Sequence, residues 1–138
     1  MGRRAVIVLD THVLIWLTSG QRVLGKQSRT VFERATAEGD VAISVISYWE
    51  LGMLVAKGRL AVTHEPTHYR DRLRETAIKE LPLTADVAIL SAGLENLHRD
   101  PADRFIAATA IAHGATLLTA DKNLLNWRNP LPRQNATR

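Results

Sequence analysis

The chain has 138 residues, 46% of them hydrophobic, and a formal charge of +4 with a sequence pI near 10.0; that is the size and apolar content of one folded domain, not of a disordered segment. It contains no cysteine, which removes disulfides, thiolate metal sites and cysteine nucleophiles. The apolar run between Arg4 and Asp10 is too short for a signal peptide or a membrane span, so a cytoplasmic protein is expected, and its basic balance permits nucleic acid as a partner without establishing it.

Ala5 to Leu9 is a continuous apolar, β-branched run, the pattern of a strand buried on both faces. A short apolar helix over His12 to Thr18 follows, then an amphipathic helix over Lys26 to Glu38 that Gly39 stops. Val41 to Ser44 reads as a second strand and Ile46 to Lys57 as a third helix, ended by Gly58. Pro66 suits the first turn of a helix running to Lys79, and Leu81-Pro82-Leu83 reads as a brief extended segment. Asp86 to Leu94 and Pro101 to His113 are helical, the latter stopped by Gly114, and Ala115 to Thr119 is another buried strand. From Asn126 the chain is polar and carries Pro130 and Pro132, which predicts a partly frayed tail. Strands alternating with helices, with no linker or repeat, predict one α/β domain over 1–138: a mostly parallel central sheet with helices on both faces. In such sheets ligands bind off the carboxyl ends of the strands.

Four acids stand out against that rule. Asp10 follows the first strand directly, Asp121 follows the last clear strand, and Glu50 lies early in the helix after Val41–Ser44. Asp103 opens the Pro101 helix, but that helix precedes a strand, so its start is read as lying at the opposite edge. Each acid also has an ordinary structural reading. Ser47-x-x-Glu50 is a capping box. Asp100-Pro101-Ala102-Asp103 is good helix-start chemistry. Asp121 suits a cap on Lys122–Leu125, and Asp10 suits bonds from a nearby loop. Several carboxylates in one pocket repel unless a cation offsets them, and oxygen-only ligands suit Mg²⁺ or Mn²⁺ over Zn²⁺. The five histidines are scattered, and Pro66 interrupts the pair His64/His68, so no histidine metal site is read. Trp16, Tyr48 and Trp49 sit in apolar helices and read as core or partner surface, not as base-stacking groups. Arg70, Asp71, Arg74 and Glu75 read as a solvated helix face.

Four segments in order resemble the PIN-domain toxins of VapBC-type toxin–antitoxin pairs, over Val6 to about Leu125. They are Leu9 to Trp16, Ile43 to Leu51, His98 to Ala110 and Leu118 to Asp121. The resemblance implies a single PIN-like domain and a ribonuclease that needs Mg²⁺, with Mn²⁺ able to substitute. It brings Asp103 to the same pocket, so that Asp10, Glu50, Asp103 and Asp121 become both the catalytic and the metal residues. Thr11, Ser47, Arg104 and Thr119 are then expected to support the ligands from behind. It also implies an RNA substrate, a cognate antitoxin covering the active-site groove, and a homodimer. One departure is visible: the family often ends with a further strand, and Trp127 to Pro132 is a poor strand, which leaves that sheet edge open. Two other readings stand beside this one. An aspartyl-phosphate phosphotransferase would want an acid two residues after Asp10, where His12 stands. A non-catalytic RNA-binding protein would have no use for carboxylates facing phosphates.

Overall fold

The protein is described from a computed structural model, for residues 6–20 and 23–138. Five strands form one sheet: β1 (Ile7–Leu9), β2 (Val41–Ser44), β3 (Lys79–Leu81), β4 (Thr116–Thr119) and β5 (Arg133–Asn135). Their order is β3-β2-β1-β4-β5 and every pairing is parallel. The chain leaves β1 for β2 on one side and reaches β4 on the other. The carboxyl ends of β1 and β4 therefore flank a topological switch point, where α/β sheets hold their ligands.

The helices are α1 (Thr11–Thr18), α2 (Lys26–Ala37), α3 (Ile46–Ala56), α4 (Pro66–Leu73), α5 (Ala85–Gly93), α6 (Pro101–Ala112) and α7 (Lys122–Leu125). Side chains alternate across each strand, so the central strand feeds two cores. Ile7 and Leu9 pack with Val13, Leu14 and Ile15 of α1, Ala35 of α2, and Tyr69 and Leu73 of α4. Val8 points the other way, into Ile106, Ala107 and Ala110 of α6, Leu124 and Trp127. Helices on both faces were expected, as was a β1 without polar positions; Ala5 lies outside the described residues.

Two stretches differ from the sequence reading. The fourth helix ends at Leu73, not Lys79. The Thr76 hydroxyl donates to the Leu73 carbonyl at 2.6 Å and accepts from the Ile78 N–H at 3.2 Å, which turns the chain into β3. β3 stops before Pro82, which has no N–H to continue the ladder. The tail is not frayed, and the edge left open by the sequence is closed by β5. The Arg133 guanidinium donates to the carbonyls of Leu124, Trp127, Asn129 and Leu131 at 2.6–3.0 Å. Those four bonds fold the Pro-containing loop back, bury Trp127 and Leu131, and deliver Arg133–Asn135 to β4.

Candidate active site

Asp10 sits at the carboxyl end of β1, with its backbone N–H bonded to the Leu118 carbonyl of β4. Its side chain is 3% exposed and caps α1, accepting from the Thr11 N–H at 2.8 Å. Its second oxygen accepts from the Thr119 hydroxyl at 2.7 Å. That hydroxyl also accepts from the Asp121 N–H at 3.0 Å, so one threonine at the end of β4 ties two acids together. Asp121 caps α7 through the N–H groups of Asn123 and Leu124, as its structural reading expected.

Glu50 is different. α3 begins after Val45 without a side-chain cap, and Ser47 bonds the Thr11 hydroxyl at 2.8 Å instead of the helix's free N–H groups. The capping-box reading of Ser47 and Glu50 is therefore overturned. Ser47 joins the starts of α1 and α3, and Glu50 Oε1 is buried with no hydrogen-bond partner. An unpartnered buried carboxylate oxygen is unfavourable by a few kcal/mol unless something else meets it.

Asp103 was read as lying at the opposite edge, and the structure corrects this. A helix that feeds a parallel strand must end where the strand starts. α6 ends at Ala112, turns at Gly114 (φ 58°) and enters β4 at its amino end. Running antiparallel to the strands over about 18 Å, it presents its first turn to the carboxyl edge. Asp103, 6% exposed, lies close enough to Asp10 and Asp121 to feel their charges.

Burial is the main cause of the raised carboxyls here, and like charge is the next only at Asp103. Burial raises the Asp10 carboxyl above its ordinary range, and the Asp121 charge adds to this; the Thr119 bond offsets part. Burial raises Glu50 as well, the Thr11 side chain offsets part, and the Asp10 charge adds to it. Asp103 is pushed up to about 7 by burial and by the charges of Asp10 and Asp100, against a smaller pull from its bond to His98.

That bond, His98 Nε2 to Asp103 Oδ2 at 2.7 Å, involves a residue the sequence reading missed. A single histidine five residues before an acid has no pair or repeat to mark it in the sequence. His98, Asp100 and Asp103 bring ligand-type atoms within 4.8 Å of one another, among the described residues the one group of three that tight. Of the four predicted acids, Asp10 lies within range of the charges of Glu50, Asp103 and Asp121. Asp100 caps α6 by accepting from the Asp103 N–H, as read. Arg104 donates to the carbonyls of Ser91, Leu94, Leu97 and His98, and so holds the loop that carries His98. The donor set of Asp10, Glu50, Asp103 and Asp121 is all oxygen, crowded and in part unpartnered, which fits a hard divalent cation.

The model of the PIN domain matches residues 7–128, a span that contains all four acids. The chain belongs to the PIN-domain family. This PIN domain is 32% identical over 127 residues to ribonuclease VapC22 of Mycobacterium tuberculosis, covering 91% of the chain and 95% of that relative. Among solved structures it resembles VapBC2 of Rickettsia felis bound to a promoter DNA fragment, with a TM-score of 0.69 at 20% identity over 94% of this chain and 97% of that one. It also resembles FitAcB of Neisseria gonorrhoeae, with a TM-score of 0.61 at 26% identity over 86% and 89% of the two chains. The first likeness supports the fold; the VapC22 relationship links the PIN domain to a protein named as a ribonuclease.

Proposed function

We propose that this protein is a metal-dependent ribonuclease, the toxin of a toxin–antitoxin pair, in which Asp10, Glu50, Asp103 and Asp121 form the catalytic metal site. The observation that carries this is the buried Glu50 oxygen without a partner, next to a buried Asp10 whose surroundings also include the charges of Asp103 and Asp121. The name of the VapC22 relative and the toxin–antitoxin complexes among the structural neighbours support it.

In this reading Asp10, Glu50 and Asp103 hold Mg²⁺, or Mn²⁺ in its place, and Asp121 serves a second ion or a bridging water. Bound metal supplies a water of lowered pKa and a charge that steadies the phosphodiester during hydrolysis. The chain's own part is geometric. Thr119 holds Asp10 in one rotamer and draws Asp121 alongside it. Thr11 and Ser47 lock α1 to α3, which sets Glu50 against Asp10. His98 fixes one oxygen of Asp103 and leaves the other free. Further parts of the reading are a cognate antitoxin that inhibits the enzyme, a homodimer, and a cytoplasmic site of action; no helix among the described residues is long and apolar enough to cross a membrane.

The test is RNA cleavage by the purified protein with Mg²⁺ or Mn²⁺, then with excess EDTA. Cleavage is expected only with metal, and Asp103→Asn should abolish it while the fold persists. Activity that survives chelation unchanged would refute the metal reading.

A further inference from the structure

α3 carries Glu50, and little in its sequence fixes how far the helix is turned about its own axis. Its start has no side-chain cap. Its apolar residues, Ile46, Tyr48, Trp49, Leu51, Met53 and Leu54, run round most of the helix, so burial alone selects no single inward face. Successive residues stand about 100° apart, which sets Ser47 beside Glu50 and Tyr48 nearly opposite it. The Ser47 side is tied to α1 through the Thr11 hydroxyl. The Tyr48 side is tied to β3: the phenol donates to Glu80 Oε2 at 2.5 Å. Arg70 of α4 grips the same carboxylate with two bonds, at 2.8 and 2.9 Å. Arg70, read from the sequence as part of a solvated face, is exposed but committed to this acid. The bonds from Arg70, and next that from Tyr48, hold the Glu80 carboxyl down at about 2, so it stays an ionised acceptor at neutral pH. An open cleft of about 530 Å³ lies here, lined by Val45, Tyr48, Pro66, Arg70 and Glu80. It is room into which this end of α3 could shift, and the three bonds close that option.

We propose that Tyr48, Glu80 and Arg70 form a clamp that sets the rotation of α3 and thereby aims Glu50 in the acid site. The inference rests on the reading of Glu50 as a metal ligand and adds to it the positioning residues that place that ligand. Glu50 Oε1 has no partner of its own, so the placing of this oxygen is inherited from the backbone that carries it. Side-chain tips stand about 5–6 Å from a helix axis, and a rotation of ~10° moves one by about 1 Å. A displacement of that size at a reacting group is costly even when its origin is remote. One tie alone would leave a pivot. Two ties on different sides of the axis, Ser47 to Thr11 and Tyr48 to Glu80, leave none.

The experiment measures Mn²⁺ binding by calorimetry, with urea titrations alongside. Tyr48→Phe removes the hydroxyl and keeps the ring that packs against the core, so the fold should persist. It should weaken Mn²⁺ binding about 10-fold, as loss of a residue that supports a ligand does. Glu80→Ala should do the same. Tyr48→Phe combined with Glu80→Ala should weaken binding no further than either alone, because the two act as one unit. A Glu50→Ala background separates aiming from general loosening. Asp10, Asp103 and Asp121 remain there to bind the ion, and adding Tyr48→Phe should leave the affinity where Glu50→Ala put it, since no ligand is left to aim. The loss of stability in urea from Tyr48→Phe should be the same in both backgrounds. A Tyr48→Phe variant that binds Mn²⁺ like the parent, or that loses the same factor with and without Glu50, overturns the proposal. Unchanged Mn²⁺ binding by Glu50→Ala instead overturns the metal reading beneath it, so the two failures are told apart.

Discussion

Removing the charge of Asp103 should stabilise the metal-free protein, and by an amount that depends on pH. In the folded chain this carboxyl is lifted from 3.8 to about 7 by burial and by the charges of Asp10 and Asp100. The gap corresponds to roughly 4 kcal/mol for a fully isolated group. The site is open to solvent at its mouth and its neighbours titrate together, so about half of that, ~2 kcal/mol, is the working magnitude. The sign follows from proton binding. The folded state keeps the proton up to about pH 7 and the unfolded state loses it near 4, so stability falls as pH rises across that window and levels off above it. Asn is neutral throughout, and its oxygen can still accept from His98. In EDTA, Asp103→Asn should therefore match the parent at about pH 3, begin to exceed it by pH 5, and exceed it by ~2 kcal/mol at pH 8. Urea titrations at four pH values with chelator measure this. Mn²⁺ at pH 8 should then raise the parent by mass action and leave the variant nearly unmoved. Two parallel stability curves, with a difference that ignores pH, would show that Asp103 feels no crowding and that the electrostatic picture of the site is wrong.

Three further outcomes follow from the same geometry. Mn²⁺ binding by the parent, followed by calorimetry, should tighten between pH 6 and pH 8, since the raised carboxyls must lose protons before they can ligate; affinity independent of pH would count against Asp103 as a ligand. Asp100→Asn should keep the fold and much of the RNA cleavage, because Asn also caps α6, whereas Asp103→Asn should lose cleavage; equal losses would contradict the division of roles. Arg133→Ala should cost about 2–4 kcal/mol in chemical denaturation, through four carbonyls left without their donor, and amide exchange should then quicken in β5 first; a loss within error of zero would mean that β5 does not depend on that clip.

Much of this was legible in the chain. Ile7 to Leu9 has no polar position because it is covered on both faces, and that alone announced a parallel sheet. Asp10 and Asp121 could be placed because each lies within two residues of a strand's end, with no long loop to carry it elsewhere. β5 was not legible, because Arg-Gln-Asn has no strand-like pattern; it is a strand only through the contacts of Arg133, and the carbonyls it gathers lie up to nine residues away. Asp103 was misplaced from the periodicity by an error about direction, since a helix leading into a parallel strand starts at the strand's far end; the motif resemblance had already pointed to the right pocket. His98 went unread because its partner is a single carboxylate and no repeat marks it. The capping-box alternative for Ser47 and Glu50 failed because Ser-x-x-Glu has a local meaning that Thr11, brought in from another helix, cancels.

The structural and functional readings of these acids turn out not to compete. Asp10, Asp100 and Asp121 each cap a helix, and Asp103 lies in a first turn. Three helix N-termini thus meet at the carboxyl edge of β1 and β4. Each brings unpaired N–H groups and the positive end of a helix dipole, worth about 0.3–1 kcal/mol to a nearby carboxylate. That field offsets part of the repulsion that burial and crowding create, and lets a pocket of acids persist in a folded chain before any cation arrives. Capping is therefore how the protein tolerates the cluster, and it cannot serve as evidence against a catalytic role. The discriminating residue is the one left out of this scheme. Glu50 lies a full turn into α3, caps nothing, and keeps a buried oxygen without a partner. A side chain that contributes nothing to the helix that carries it, near enough to Asp10 to feel its charge, is what the proposed metal site would account for.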